Sequence, residues 1–191
     1  MCGQFQFSQE LDCPAMRRLS VLAEQTQVQL PDGDIAPGCL APVLVAGPGR
    51  AQLKMMQWGF PLGGTGRPVI NARAETAASK PSFSRALDHG RCAIPTTGFY
   101  EWGPGAEGKK RKYRFNLPGE RALYLAGLWN EFAGERKCVI LTTAANASME
   151  GIHDRMPVIL RREEAGPWAK EITSATEILH RVPPLLEHRE E

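Results

Sequence analysis

Cys2 is the first residue whose type and place together suggest chemistry. If Met1 is removed, the chain begins with a cysteine that bears both a free α-amine and a thiol. Reference pKa values of about 7.7–8.0 for the amine and about 8.5 for the thiol leave both groups partly nucleophilic near neutral pH. A 1,2-aminothiol has a distinctive reaction with an aldehyde. The amine forms a Schiff base, and the thiol then closes a five-membered thiazolidine in an intramolecular step of high effective concentration. Position alone favours an incidental cysteine, so partners decide.

Three candidate partners stand out. His153 lies in Gly151-Ile152-His153-Asp154-Arg155-Met156-Pro157, just before an apolar strand, and loops at strand ends are common homes for catalytic groups. A structural histidine at a strand entry fits the same pattern equally well. Glu101 stands among aromatics in Gly98-Phe99-Tyr100-Glu101-Trp102. A carboxylic acid in apolar surroundings tends towards a raised pKa, as acid–base catalysis requires. Strand alternation puts Phe99 and Glu101 on one face, so an inward Phe99 carries Glu101 inward; the alternative is a surface charge on an edge strand. Asn71 follows Pro68-Val69-Ile70. It can hold a terminal amine or a carbonyl, or cap the next helix. Arg73 can bind phosphate or pair with Glu75. His180 and His188 fall in a polar stretch and read as solvated.

The elements that must position these groups can be read along the chain. Its 191 residues suit one domain, with 42% hydrophobic and 23% charged side chains. Pro14 to Gln27 reads as a helix, with Asp12 as its cap and Pro14 in the first turn. Pro31 to Gly38 is turn chemistry. Strands are expected at 41–46, 52–58, 91–94, 99–102, 113–116, 123–129, 138–142 and 157–160. Short helices are expected at 72–79, 82–87 and 162–170, and a long hairpin connection from Trp102 to Tyr113. Strands that do not alternate regularly with helices favour an α+β domain around a mostly antiparallel, barrel-like sheet. The domain is expected over residues 2–180, with 181–191 as a polar tail.

Charge and cysteines narrow the function classes. The net charge is +2, but residues 61–120 carry ten basic and five acidic side chains. A basic middle suits an anionic ligand, although Lys109-Lys110-Arg111-Lys112 reads by itself as a solvated hairpin tip. The five cysteines are odd in number and none has C-x-x-C spacing, so reduced thiols are expected, with Cys92 and Cys138 as core residues. The N-terminus shows no signal-peptide pattern and no apolar run nears the roughly 20 residues of a membrane span. A cytoplasmic protein is expected.

Together the segments resemble the SRAP family, named for SOS-response-associated peptidases. The resemblance rests on Met1-Cys2-Gly3, Ala36-Pro37-Gly38, Trp58-Gly59, Ile70 to Thr76, Lys80 to Phe83, Arg91-Cys92, Gly98 to Trp102, Ala126 to Trp129 and Ile152 to Val158, in family order. It implies a sensor of abasic sites in single-stranded DNA, associated with the nucleoid when bound, in which the freed Cys2 attacks the C1′ aldehyde of the ring-opened sugar and forms a thiazolidine DNA–protein crosslink. It implies that Glu101 assists proton transfers in ring-opening and Schiff-base formation, that His153 serves the sugar-hydroxyl and phosphate side, and that Asn71 positions the N-terminal residue. Arg73 and Arg155 would contact the DNA backbone. Pro37, Gly38, Trp58 and Met156 would belong to the DNA-binding surface, with Trp58 and the Pro37-Gly38 loop stacking on or wedging against bases. Weak abasic-site lyase activity is compatible with the Schiff base.

Two other functions stay open: a thiol peptidase built on Cys2, His153 and Asn71 whose reach is only removal of Met1, and a non-covalent single-strand binding module. No metal or organic cofactor is implied, and a monomer is expected. The chain departs from the family pattern at Gln4, where Arg is usual, and at Phe60 to Gly66, which replaces an aromatic-ended stretch. Its last thirty residues match poorly.

Overall fold

The computed structural model describes residues 2–10, 13–61, 66–105 and 108–191. Asp12, expected as a helix cap, and most of the departing loop, Leu62 to Thr65, lie outside the described residues. The first strand, β1 (Gln4–Phe7), leads into α1 (Pro14–Thr26), which starts on Pro14 and ends at Gln27 in the left-handed region (φ 53°). The middle of the chain holds β2 (Gly33–Ile35), β3 (Leu40–Ala46), β4 (Ala51–Trp58), β5 (Asn71–Arg73), α2 (Ala74–Ala77), α3 (Pro81–His89), β6 (Arg91–Thr96) and β7 (Gly98–Pro104). After these come β8 (Lys110–Asn116), β9 (Leu123–Phe132), β10 (Glu135–Ala144), β11 (Arg155–Pro157), β12 (Ile159–Leu160), α4 (Ala165–Lys170), α5 (Ile172–His180) and β13 (Glu187–Glu190).

The expected barrel is present. β10, β4, β3, β6 and β9 pair in that order, and a further β9–β10 ladder closes the ring. All of these pairings are antiparallel except β4 with β10. Closure leaves no bare edge among the five strands. β5 joins β10 in parallel, with Asn71 opposite Ile140, and β11 pairs the C-terminal end of β10. A second, five-stranded sheet runs β13-β8-β7-β1-β2.

Aromatic packing joins the two sheets. Phe5 of β1 and Phe99 of β7 are paired across the ladder and both are buried. Phe99 stacks on Phe115 at 5.2 Å, and Phe5 lies 5.2 Å from the Trp58 ring at the end of β4. Trp58 is fully buried, and its Nε1–H donates to Ile70 O at 2.9 Å. The indole therefore sits in the core rather than on the open surface expected for stacking, although Trp58 also borders a surface hollow beside Gly38. Met156 is likewise fully buried on β11.

Helices cover the barrel. α1 packs on β4, and α4 packs on β6 and β3. Trp168 of α4 is buried and donates to Cys92 O at 2.8 Å. Arg91 is the buried charge beneath it, donating to Trp168 O and to Leu87 O and Asp88 O at the end of α3. Cationic groups are stabilised there by the helix dipole.

Residues 181–191 are not a free tail. Arg181 pairs with Glu164, Asn146 Nδ2 donates to Pro183 O and Pro184 O at 2.9 and 3.0 Å, and β13 adds an edge strand to β8. β2 likewise forms inside the stretch expected as turn, and α5 is an element that spacing did not reveal. Lys110, Arg111 and Lys112 belong to β8 rather than to a hairpin tip.

Trp58 supplies the test of this architecture. Trp58→Phe loses one buried hydrogen bond and should cost about 1 kcal/mol, whereas Trp58→Ala should cost about 3–5 kcal/mol in urea unfolding. A Trp58→Ala chain as stable as the parent would mean that the indole is not the buried joint between the sheets.

Candidate active site

Cys2 lies just ahead of β1 and is fully buried. The β1–β7 register pairs Gln4 with Tyr100, which carries the preceding residues alongside Glu101 and Trp102. Glu101 is 2% exposed and Trp102 39%, so alternation turns the carboxyl inward, as the Phe99 argument requires. Asn71 Nδ2 donates to Cys2 O at 2.9 Å. Cys2, Asn71 and Glu101 therefore meet where the five-stranded sheet abuts the barrel.

Trp58 builds this meeting point indirectly. One edge of the indole packs on Phe5, three residues after Cys2, and its N–H holds Ile70 O, one residue before Asn71. Ile140 N–H donates to the same carbonyl at 3.1 Å. The start of β5 is thus pinned from both sides. Asn71 Oδ1 is buried and has no hydrogen-bond partner among the described residues.

Burial first, and then the charge of nearby Glu101, push the Cys2 thiol well above its ordinary pKa. Sγ points to Gln4 O at 3.7 Å. Both effects disfavour the thiolate in this pocket.

His153 follows a 3₁₀ turn at Ala147–Met149. Its Nδ1 lies 2.9 Å from Arg155 N–H. Exposed Asp154 places Oδ1 2.9 Å from the same Nδ1. The loop reaches the site through Ile152, which packs on Gly103 two residues beyond Glu101. A Cβ at Gly103 would lie 3.0 Å from Ile152 Cγ2 and 3.1 Å from its Cα, so glycine permits the close approach.

Arg155 is committed to the protein. It grips Glu75 through both terminal nitrogens at 2.7 and 2.9 Å and also donates to Thr142 O at 2.7 Å. Glu75 is consequently held down at about 2, chiefly by the Arg155 hydrogen bonds. Arg73, by contrast, is exposed and has no ion pair among the described residues. The Glu75 partner is therefore Arg155 and not Arg73.

Pro37 and Gly38 are exposed. Gly38 has φ +88° and Cys39 N–H donates to Ala36 O at 3.1 Å, which is a type II turn with Pro and Gly in their favoured places. Beside this turn is a hollow of about 430 Å³ bordered by Gln57, Arg67, Pro68 and Lys137. Composition alone did not single out Arg67 or Lys137. Arg67 had a signal in its Gly66-Arg67-Pro68 turn, whereas Lys137 reaches the hollow only through the parallel β4–β10 pairing.

A family model described as SOS response associated peptidase (SRAP) matches residues 1–190. The chain belongs to this family. This SRAP chain is 35% identical over 186 residues to the abasic site processing protein YoqW of Bacillus subtilis (strain 168), covering 88% of this chain and 80% of that protein. It is 29% identical over 189 residues to the abasic site processing protein YedK of Escherichia coli (strain K12), covering 93% and 83%. A crystal structure of a Bordetella bronchiseptica protein shares the fold, with a TM-score of 0.78, 22% identity and coverage of 100% and 99%. Among the described residues of the SRAP chain, no helix is long and apolar enough to cross a membrane.

The Glu75–Arg155 pair predicts an acid-dependent contribution to stability. The Glu75 pKa is lowered on folding, so the contribution is full above the ordinary value of 4.5 and is lost as pH falls towards about 2. Glu75→Gln should cost about 1 kcal/mol at pH 6, the upper end for a solvent-screened pair. Urea unfolding at pH 6 and pH 3 should show the gap from wild type narrowing at the lower pH; an unchanged gap would contradict the pairing.

Proposed function

We propose that this protein captures abasic sites in single-stranded DNA through a covalent bond at Cys2, once Met1 has been removed. One observation carries the reading: the Cys2 carbonyl is held by Asn71 at 2.9 Å, with the buried Glu101 carboxyl close enough to perturb the thiol. The names of the relatives point to the same substrate.

Removal of Met1 hydrolyses one peptide bond, consumes one water and frees the Cys2 amine. Asn71 Oδ1, a buried acceptor awaiting a donor, suits that amine. The amine adds to the C1′ aldehyde of the open sugar, and water leaves to give the imine. Glu101 shuttles the protons of ring-opening and dehydration. The neutral thiol then adds to the imine carbon, its proton passing to the ring nitrogen. The net reaction forms one C–N and one C–S bond and releases one water. His153 attends the sugar-hydroxyl and phosphate side.

The raised thiol pKa sets the order of events. A protonated thiol leaves the first attack to the amine and then captures an imine already in place. It is poorly suited to the thiolate attack that self-removal of Met1 would need. Loss of a C2′ proton from the imine would break the C3′–O bond to the 3′ phosphate, which is the route to slow lyase activity. The exposed Arg73 and Arg67 and the Pro37–Gly38 turn supply phosphate and base contacts to a single strand.

Incubation of Met1-free protein with a single-stranded oligonucleotide bearing one abasic site should give an adduct that survives denaturing electrophoresis. Intact mass establishes that the chain starts at Cys2. Cys2→Ser keeps the amine but cannot form the thiazolidine, so its adduct should appear only after borohydride reduction. Glu101→Gln should slow capture by about 100-fold or more. Salt-reversible binding with no denaturation-stable adduct in processed wild-type protein would overturn the proposal in favour of a non-covalent binding module.

A further inference from the structure

A second concavity, formed by residues outside the Cys2 site, lies between α1, β3 and α4. It encloses about 430 Å³ and is lined by residues from α1 to α4, none of which belongs to the Cys2 site. Its apolar wall includes Leu19, Leu22, Leu44 and Val45. Three cationic side chains, Arg18, Arg162 and Lys170, border the same space, against one carboxylate, Glu163. None of the three cations has an ion-pair partner among the described residues.

Tyr124 gives this hollow a polar interior point. It is 4% exposed and lines the cavity, yet its hydroxyl makes no hydrogen bond to a described residue. Arg162 and Arg18 both stand near enough to its ring oxygen to favour the phenolate, although burial outweighs them. Arg18, Arg162 and the Tyr124 phenol thus border one space beside an apolar wall. Mostly apolar walls with a few convergent polar groups are the ordinary make-up of a small-molecule site.

We propose that this hollow binds a small amphipathic anion: a carboxylate on a short aliphatic or aromatic body. The apolar body would lie against the leucines. The carboxylate would take the Tyr124 hydroxyl as one donor and Arg18 and Arg162 as charged donors, with Lys170 adding charge at the mouth. Arginine is suited to gripping a planar carboxylate through two nitrogens. Glu163 sets the sign of the selectivity limit, since a ligand with a second anionic group on that side would be repelled.

Octanoate is the probe, titrated calorimetrically into the full-length protein in the absence of DNA. The expected result is saturable binding at one site, with octanol roughly tenfold weaker or worse because it lacks the charge-assisted bonds. Acetate should bind far more weakly because it lacks the apolar body. Arg18→Ala and Arg162→Ala alter exposed positions and should leave the melting temperature unchanged. Each should weaken octanoate by roughly tenfold. Tyr124→Phe should weaken it several-fold, and its melting temperature reports separately on folding. Octanoate binding that is absent, matched by octanol, or indifferent to the Arg18→Ala/Arg162→Ala pair would overturn the proposal. Covalent capture at Cys2 is read by a different assay, so the two ideas stand or fall separately.

Discussion

A chain terminus is the most mobile part of most proteins, and chemistry at residue 2 requires that mobility to be removed. Here the Asn71–Cys2 hydrogen bond does so across the junction of two sheets. Its geometry depends on both strands being fixed: β1 by its place between β2 and β7, and β5 by its parallel seat on β10. The buried indole of Trp58 ties these two supports together through Phe5 and Ile70. Loosening any of the three contacts would return the terminus to solvent, and the effective concentration of its amine and thiol around a bound aldehyde would fall with it.

The same joint explains the electrical state of the site. Cys2 and Glu101 are both shielded from water, and burial together with the Glu101 charge disfavours a thiolate at Cys2. A site that needed a thiolate would instead set a cation beside the sulfur. On the proposed reading, this arrangement disfavours the thiolate and makes nitrogen the leading nucleophile. The basic character of residues 61–120 is divided accordingly. Arg91 caps a helix inside the core, Arg111 pairs with Glu190, Lys112 pairs with Asp34 beneath Tyr100 and Trp102, and Arg114 holds Thr97 O. Arg67 and Arg73 remain exposed beside β5. Four of the ten basic side chains of that segment are thus engaged within the fold, while Arg67, Arg73, Lys80, Arg85 and Lys110 are exposed.

How far the sequence could be read depended on whether a feature was local. The inward turn of Glu101 followed from strand period and from Phe99, both within three residues. The helix from Pro14 followed from spacing and from proline in its first turn. Trp58 and Met156 show the opposite case. A tryptophan near a glycine turn and a methionine in a motif say nothing about which face is buried, because that is set by strands distant in sequence. β13 is harder still: Glu-His-Arg-Glu has no apolar face and is exposed at every position, so only the free edge of β8 makes it a strand.

Arg155 carries the last step of this reasoning. As a motif residue it looks like a phosphate ligand, yet its guanidinium is spent on Glu75 and Thr142 O. Its backbone N–H is the group that faces the chemistry, donating to His153 Nδ1. Fixing the side chain fixes the start of β11, and so the direction of that N–H. The result is a ring held in place at its Nδ1 side. Glu75 thereby acts on His153 without touching it, through a salt bridge, a strand end and one backbone hydrogen bond. A charged motif can in this way orient a neighbouring side chain by anchoring the backbone, while Arg73, two residues beyond Asn71, stays exposed.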